Sequence, residues 1–252
     1  MLALSRFVIS LVDVKGSDPV VTADPPSIGT GPRMAGVLSL WRTTVCKKIV
    51  MAVTGAILIA FLIGHVTGNL LVFRGAGPLD AYSAFLKREP AVLWLVRAIL
   101  LASVVLHIVA AAQLKLLDRA ARPKRYARLE PQAATLASRT MRVGGVVIAL
   151  FIVFHLLHLT TGSIRPAPFA EGRVYDNVIG GFQVWWVTAI YVVAMIAIGL
   201  HLWHGAWSFL RTLGLSRPSA SPLHRPFAAA VALVIWAGFT SIPLAIFFGW
   251  VR

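Results

Sequence analysis

Five apolar segments, each long enough to cross a bilayer as one helix, restrict this 252-residue chain to one kind of fold. About 20 apolar residues span the roughly 30 Å hydrocarbon core of a membrane. Because backbone N–H and C=O groups facing lipid must be hydrogen-bonded within the protein, a helical bundle is the economical arrangement. We predict an all-α integral membrane domain over residues 34–252. Its five transmembrane helices are expected at 49–73, 91–114, 143–164, 184–210 and 227–250.

The composition supports a membrane protein and argues against a nucleic-acid partner. Hydrophobic residues make up 58% of the chain, charged residues only 13%, and the mean hydropathy is +0.80. Lys and Arg outnumber Asp and Glu by 24 to 9. This basic excess lies in the connections between apolar segments, a pattern typical of topology signals rather than of a surface for nucleic acid. We therefore expect membrane lipid, and no nucleic acid, as a partner.

The distribution of basic residues predicts the orientation in the membrane. Basic residues are concentrated before the first predicted helix, between the second and third, and between the fourth and fifth. These residues are Arg33, Arg42, Lys47 and Lys48, then the eight Lys and Arg between positions 115 and 142, then Arg211, Arg217 and Arg225. The two remaining connections are nearly balanced in charge. Since basic loops stay inside, the N-terminus is expected in the cytoplasm and the C-terminus outside.

The first 33 residues do not fit the bundle. An apolar stretch over residues 2–14 is too short to span a membrane, and a Pro-, Gly-, Ser- and Asp-rich run follows over 16–32. No convincing cleavage site for a signal peptide is present. We expect residues 1–33 to form a mobile or interfacial tail, and Met34 could be the physiological start.

Four of the five predicted helices each carry a histidine well inside the apolar segment, at positions 65, 107, 155 and 201. Ionisable residues at membrane depth are costly and usually functional. With about 1.5 Å of rise per residue and the predicted orientation, His65 and His155 lie in the outer half of the bilayer. His107 and His201 lie towards the cytoplasmic half. The sequence thus predicts an outer pair, His65 with His155, and an inner pair, His107 with His201.

Two imidazoles on facing helices are suitable axial ligands for a haem iron. We therefore predict two bis-histidine haems, stacked across the membrane as an electron path. The single cysteine, Cys46, excludes a covalent C-x-x-C-H haem site and a cysteine-held iron–sulfur cluster within this chain. Taken alone, any one of these histidines could equally well form a hydrogen bond between helices.

Three other histidines are weaker ligand candidates. His158 and His204 each lie three residues from a predicted ligand, on nearly the same helix face, and could replace it. Otherwise they are polar neighbours of the haems, and His204 could belong to a quinone pocket. His224 is predicted to lie in a loop.

Arg97 is a charged residue inside the second predicted helix, near its outer end. A propionate of the outer haem would be a suitable partner for its guanidinium. Extension of the side chain to the outer headgroups is an equally good interpretation.

From about Trp41 to its C-terminus, the chain resembles the cytochrome b subunit of succinate dehydrogenase and fumarate reductase, of the five-helix, dihaem b558 type. The resemblance rests on four ordered strings: GHVTGN at 64–69, ASRTM at 137–141, FHLLH at 154–158 and HLWHGAWSF at 201–209. In that family the four haem ligands fall on His65, His107, His155 and His201. The family also pairs the first helix with the third and the second with the fourth, as the depth argument does.

The resemblance implies the membrane anchor of a respiratory complex. A flavoprotein subunit with covalent FAD would oxidise succinate, and an iron–sulfur subunit would relay electrons to the inner haem from the cytoplasmic side of a bacterial inner membrane. Electrons would then pass to the outer haem and on to a quinone, which we expect to be menaquinone rather than ubiquinone. Some fumarate reductases of the family carry a proton-conducting glutamate two residues before the fourth ligand, where this sequence has Gly199.

Two positions are open for the quinone. A proximal site would draw on Trp41, Arg42 or His204. A distal site would draw on Phe73, Arg74, Lys87 or Glu89.

Other functions remain as alternatives. A quinol:fumarate reductase anchor would share every feature named above. Other dihaem cytochromes tend to place their ligand pairs about four turns apart on one helix, and no histidine pair here has that spacing. A haem-free proton-coupled transporter would be expected to carry carboxylates within its helices, and the predicted helices contain none. A haem-free structural anchor would leave the costly histidines without a purpose.

Overall fold

The computed structural model describes residue 41 and residues 43–121, 136–215 and 224–252. Every regular element in these residues is helical, which confirms the all-α fold. The helices are α1 (Thr44–Asn69), α2 (Ala76–Lys87), α3 (Pro90–Ala120), α4 (Leu136–His155), α5 (Val174–Gln183), α6 (Trp185–Thr212) and α7 (His224–Phe247). A 3₁₀ turn, Leu70–Arg74, extends α1, and a π turn, Leu156–Thr160, extends α4. The predicted tail, residues 1–33, lies outside the described residues.

Five of these helices, α1, α3, α4, α6 and α7, are long and apolar enough to cross a membrane. This confirms the predicted number of spans. Some helix ends differ from the predicted bounds. Helix α3 continues to Ala120 rather than ending at 114, and α4 begins at Leu136 rather than at 143. Backbone hydrogen bonding continues through polar residues, whereas hydropathy marks only the part that lies in hydrocarbon. His224 is the first residue of α7, so the prediction of a loop there was wrong.

Helix α6 forms the centre of the bundle. It packs against α1, α4 and α7, while α3 packs mainly against α1. The most hydrophobic stretch of α6 is 44% buried within the protein, against 6% for that of α3. Val187 on α6 and Ile235 on α7 are almost fully buried in the shared core. Side chains on the opposite faces, such as Trp94 and Val143, are exposed as lipid-facing residues would be.

The two connections with balanced charge contain short helices that the sequence did not predict. The Asp80 carboxylate of α2 accepts a hydrogen bond from the backbone N–H of Tyr175 at 2.9 Å, in the first turn of α5. A carboxylate there also faces the positive end of the helix dipole. The Tyr175 hydroxyl donates to the backbone oxygen of Arg252 at 2.8 Å. Helices α2 and α5, which we name the cap face, are thus joined to each other and to the chain's last residue.

Replacing Asp80 with Ala should destabilise the cap face. The Tyr175 N–H loses its acceptor, and loss of a helix-capping side chain costs about 1 kcal/mol. For a chain of this size that corresponds to a Tm lower by about 2–4 °C, measured by thermal denaturation of the purified complex in detergent. Asp80→Asn, which keeps an acceptor oxygen, and Glu171→Ala, an exposed carboxylate in the connection before α5, should stay near the wild-type Tm. An unchanged Tm for Asp80→Ala would contradict this role.

Candidate functional site

The structure brings the four span histidines together as two pairs. The rings of His65 on α1 and His155 on α4 face each other, with centroids 5.9 Å apart and planes at 85°. The rings of His107 on α3 and His201 on α6 have centroids 6.2 Å apart and planes at 57°. These are the outer and inner pairs named above. Each pair takes one ring from α1 or α3 and the other from α4 or α6.

The separation within each pair fits a shared metal ion. With metal–nitrogen bonds of about 2.0–2.1 Å and a ring nitrogen about 1.1 Å from its centroid, opposed imidazole centroids lie about 6 Å apart. Among the described residues, no three His, Cys, Asp or Glu side chains gather as ligands for a bare ion. Two opposed imidazoles are a donor set that a haem iron takes from a protein.

Close backbone contacts are few between the helices that carry each pair. Among the described residues, α1 and α4 make few close backbone contacts, and the same holds for α3 and α6. These are the two helix combinations whose histidines face each other. These helices meet through imidazole rings rather than through packed backbones. The residues present thus fit two haems.

His107 is held by α1. Its Nδ1 lies 3.1 Å from the Thr54 hydroxyl, and that hydroxyl lies 2.7 Å from the backbone oxygen of Val50. A hydroxyl has one hydrogen, so Thr54 donates to Val50 and accepts from the His107 Nδ1–H. This tautomer leaves Nε2 of His107 free to bind a metal. Gly55 lies beneath the same ring, and a Cβ added there would be 3.4 Å from its Cε1 atom.

His201 differs from its partner. Its Nδ1 is buried, and no described residue forms a hydrogen bond with it. Buried polar atoms in proteins nearly always have a partner. Two residues earlier, Gly199 lies against Trp236 of α7, and an added Cβ would be 3.1 Å from the indole. The position that carries a glutamate in some fumarate reductases is therefore packed against an aromatic ring.

The rings of the outer pair lie among aromatic side chains. His65 stacks on Phe61 with centroids 5.0 Å apart and contacts Phe239 at 5.6 Å. The Asn69 side-chain amide lies 3.2 Å from Nδ1 of His65 and donates to the His65 backbone oxygen at 2.7 Å. Nδ1 of His155 lies 3.1 Å from the Tyr191 hydroxyl of α6. These contacts hold both rings in place between α1, α4, α6 and α7.

A groove lies between the ends of α1 and α6, and the proximal quinone candidates Trp41 and His204 are not among its lining residues. Val45, Lys48, Ile49, Arg211 and Thr212 line this groove of about 290 Å³ between the ends of α1 and α6, and we name it the basic groove. The Trp41 carbonyl accepts a hydrogen bond from the buried Lys47 ammonium, and the ring of His204 contacts that of Trp207. Arg42 lies outside the described residues.

The remaining predicted site residues, Arg97 and the distal quinone candidates, are exposed. The Arg97 guanidinium stacks over the Trp94 ring at 5.0 Å and is exposed, which leaves both of its interpretations open. Phe73, Arg74, Lys87 and Glu89, the distal quinone candidates, are exposed at the ends of α1 and α2.

Thr54, Gly55 and Tyr191 are parts of the site that the sequence reasoning missed. Tyr191 carried a usable signal, since a tyrosine within an apolar span needs a partner for its hydroxyl. Thr54 and Gly55 carried a weaker one, because small residues in membrane helices usually serve close packing.

The fold and the paired histidines define the class: a helical membrane protein of five spans with two facing imidazole pairs. The family model of the succinate dehydrogenase/fumarate reductase transmembrane subunit matches residues 115–241, just over half of the chain, and the protein belongs to this family. No curated protein and no solved structure matches it significantly. The match covers His155 and His201 but not His65 and His107. The expected family is confirmed, and with it an anchor subunit of an enzyme complex, of a kind that in general binds haem and quinone.

Gly55 should limit the size of side chain allowed beneath His107. In Gly55→Ala the added Cβ makes an ordinary contact at 3.4 Å, so if the inner pair holds a haem, the haem content should match the wild type. The larger side chain in Gly55→Val should displace the ring at a cost of about 1–3 kcal/mol and lower the haem content towards half. Pyridine haemochrome quantitation of both purified variants tests this. Equal haem content in the two variants would contradict the proposed contact.

Proposed function

We propose that this chain is the b558-type anchor of a succinate:quinone oxidoreductase. It carries electrons from an iron–sulfur subunit through two b haems to membrane quinone. The observation that supports this is the presence of two histidine pairs whose rings face each other. Each pair lies between two helices that do not pack closely on each other. When bound, each haem would supply an iron that changes reversibly by one electron.

The four histidines would be the axial ligands. His65 and His155 would hold the outer haem, and His107 and His201 the inner haem. The residues around them orient the rings and exclude water. Thr54 fixes the tautomer of His107, and Phe61 and Phe239 pack against His65. Arg97 is retained as a candidate partner for a propionate of the outer haem.

The soluble partners would dock at the cytoplasmic side, on the ends of the bundle opposite the cap face. Lys47, Lys48, Arg211 and Arg225 lie at those ends in α1, α6 and α7. By the positive-inside rule these ends face the cytoplasm of a bacterial inner membrane. The partners are a flavoprotein with covalent FAD and an iron–sulfur protein, so succinate oxidation occurs outside this chain. Electrons would then pass from the inner haem to the outer haem.

Menaquinone is the proposed electron acceptor. Because it is a weak oxidant, the membrane potential matters to turnover, at about 2.3 kcal/mol per charge per 100 mV. A quinol:fumarate reductase anchor would use the same haems in the reverse direction. The packing of Gly199 against Trp236 supports turnover without a carboxylate proton path at that position.

The basic groove favours the proximal quinone position. It combines the apolar walls of Val45 and Ile49 with two charged donors, Lys48 and Arg211. Ligand pockets typically pair apolar walls with a few polar groups in this way. Trp41 and His204 lie towards the same ends of the bundle, and Arg42 stays a candidate from the sequence.

The haem assignment predicts a specific pattern of loss. The purified wild-type complex should contain two haems b per chain in its dithionite-reduced minus oxidised spectrum. His65→Ala and His155→Ala should each lose one spectral component, and His107→Ala and His201→Ala the other. His224→Ala, which lies outside both pairs, should keep both. A wild-type complex without haem would overturn the proposal and favour the proton-coupled transporter.

The quinone assignment predicts that Lys48→Ala and Arg211→Ala raise the KM for quinone by up to about tenfold. Each loses one charged hydrogen-bond donor, worth roughly 1.4 kcal/mol at that factor. Succinate-dependent quinone reduction by the detergent-solubilised complex measures this. Lys87→Ala, a distal candidate, should leave the KM unchanged. If only Lys87→Ala raised the KM for quinone, the proximal assignment would be wrong and the distal position would be favoured.

A further inference from the structure

Tyr191 connects two histidines on a neighbouring helix. It lies on α6 with only 5% of its surface exposed. Its hydroxyl is 3.1 Å from Nδ1 of His155 and 3.1 Å from Nδ1 of His158. Phe151 and Phe182 hold its ring edge-on, with centroids 4.9 and 4.7 Å away. The hydroxyl therefore has two imidazole partners and little freedom to turn away from them.

The hydrogen atoms of this group can be assigned. A hydroxyl donates one hydrogen bond, so Tyr191 donates to one imidazole and accepts from the other. If His155 binds iron through Nε2, its hydrogen is on Nδ1, and it donates to Tyr191. Tyr191 then donates to Nδ1 of His158. The hydrogen of His158 is accordingly on Nε2, which faces Gly181 and a small cavity lined by Arg165 and Asn177.

The local backbone is built to hold His158 in this position. His158 belongs to the π turn that extends α4, and π turns are frequent at functional sites. It is also 97% buried, since only 3% of its surface is exposed. A Cβ at Gly181 would lie 2.7 Å from its Nε2, so α5 can approach this closely only with a glycine. A histidine that merely filled space would not need both features.

We infer that Tyr191 and His158 are positioning residues of the outer haem. This inference rests on the proposed function. Together they fix the tautomer and orientation of His155, and Tyr191 accepts the hydrogen bond from its Nδ1–H. Such a bond makes the ligand more basic and stabilises the oxidised iron. Because Tyr191 also donates to His158, its oxygen becomes a stronger acceptor.

The inner pair lacks this arrangement. Thr54 accepts from His107, but its own hydrogen goes to a backbone oxygen rather than to a second imidazole. His201 has no partner at Nδ1 among the described residues. One ligand of the outer haem, His155, is thus hydrogen-bonded to Tyr191, which is in turn hydrogen-bonded to His158. This difference contributes to separating the reduction potentials of the two haems.

A redox titration of the purified complex, followed by visible spectroscopy, tests this. Tyr191→Phe keeps the ring but removes the acceptor, so the outer component should become easier to reduce. We expect the ratio of reduced to oxidised outer haem to rise about tenfold at fixed potential, which is about 59 mV for one electron. Thr54→Val, the matched control, should shift the inner component only.

His158 provides an independent variant should Tyr191→Phe fail to assemble. His158→Leu should shift the outer component in the same direction, and His158→Gln, whose amide can accept from Tyr191, should restore it towards the wild-type value. Two haems with unchanged potentials in Tyr191→Phe or His158→Leu would overturn the inference, as would equal shifts of both components. If the wild-type protein lacked haem, the proposed function itself would fail, which is a distinct result.

Discussion

The structure depends on close packing around α6. In a bilayer the hydrophobic effect does not drive helices together, because lipid tails are as apolar as the side chains. Helices in a membrane associate through van der Waals contact, which small residues allow. Ala194 and Ala206 of α6 are almost completely buried, and Gly199 lies directly against Trp236. With α6 fixed against three neighbours, the directions of His201 and Tyr191 are fixed as well. The outer pair depends on the same helix, because α1 and α4, which carry His65 and His155, both pack on α6.

The two pairs are alike in separation but not in support. Both place imidazole centroids about 6 Å apart, the distance expected for rings sharing a metal. The polar contacts around the two pairs differ. His107 contacts the hydroxyl of Thr54, which is also bonded to the backbone, whereas His155 contacts the hydroxyl of Tyr191, which also contacts His158. Two sites with the same ligands can therefore have different electronic properties. A protein that moves electrons in one direction benefits from such a difference.

Hydropathy alone was enough to predict five spans, because the requirement for internal hydrogen bonding leaves helices as the economical choice. The grouping of the histidines followed from axial depth, which residue counting provides. Depth does not give the rotation of a helix about its axis, so Thr54 and Tyr191 were missed although each lies in a predicted span. Helices α2 and α5 were missed for another reason. They lie in the polar connections, where their stability comes from contacts such as Asp80 with Tyr175.

Each histidine pair draws one ring from α1 or α3 and the other from α4 or α6, and this has a consequence for assembly. A group bound by such a pair joins helices that otherwise make few contacts, so its binding energy is also folding energy. Cofactor supply would then control how much of the protein reaches its final form. Under the proposed function, a cell short of haem would hold a looser bundle, which proteases remove more readily than a closed one.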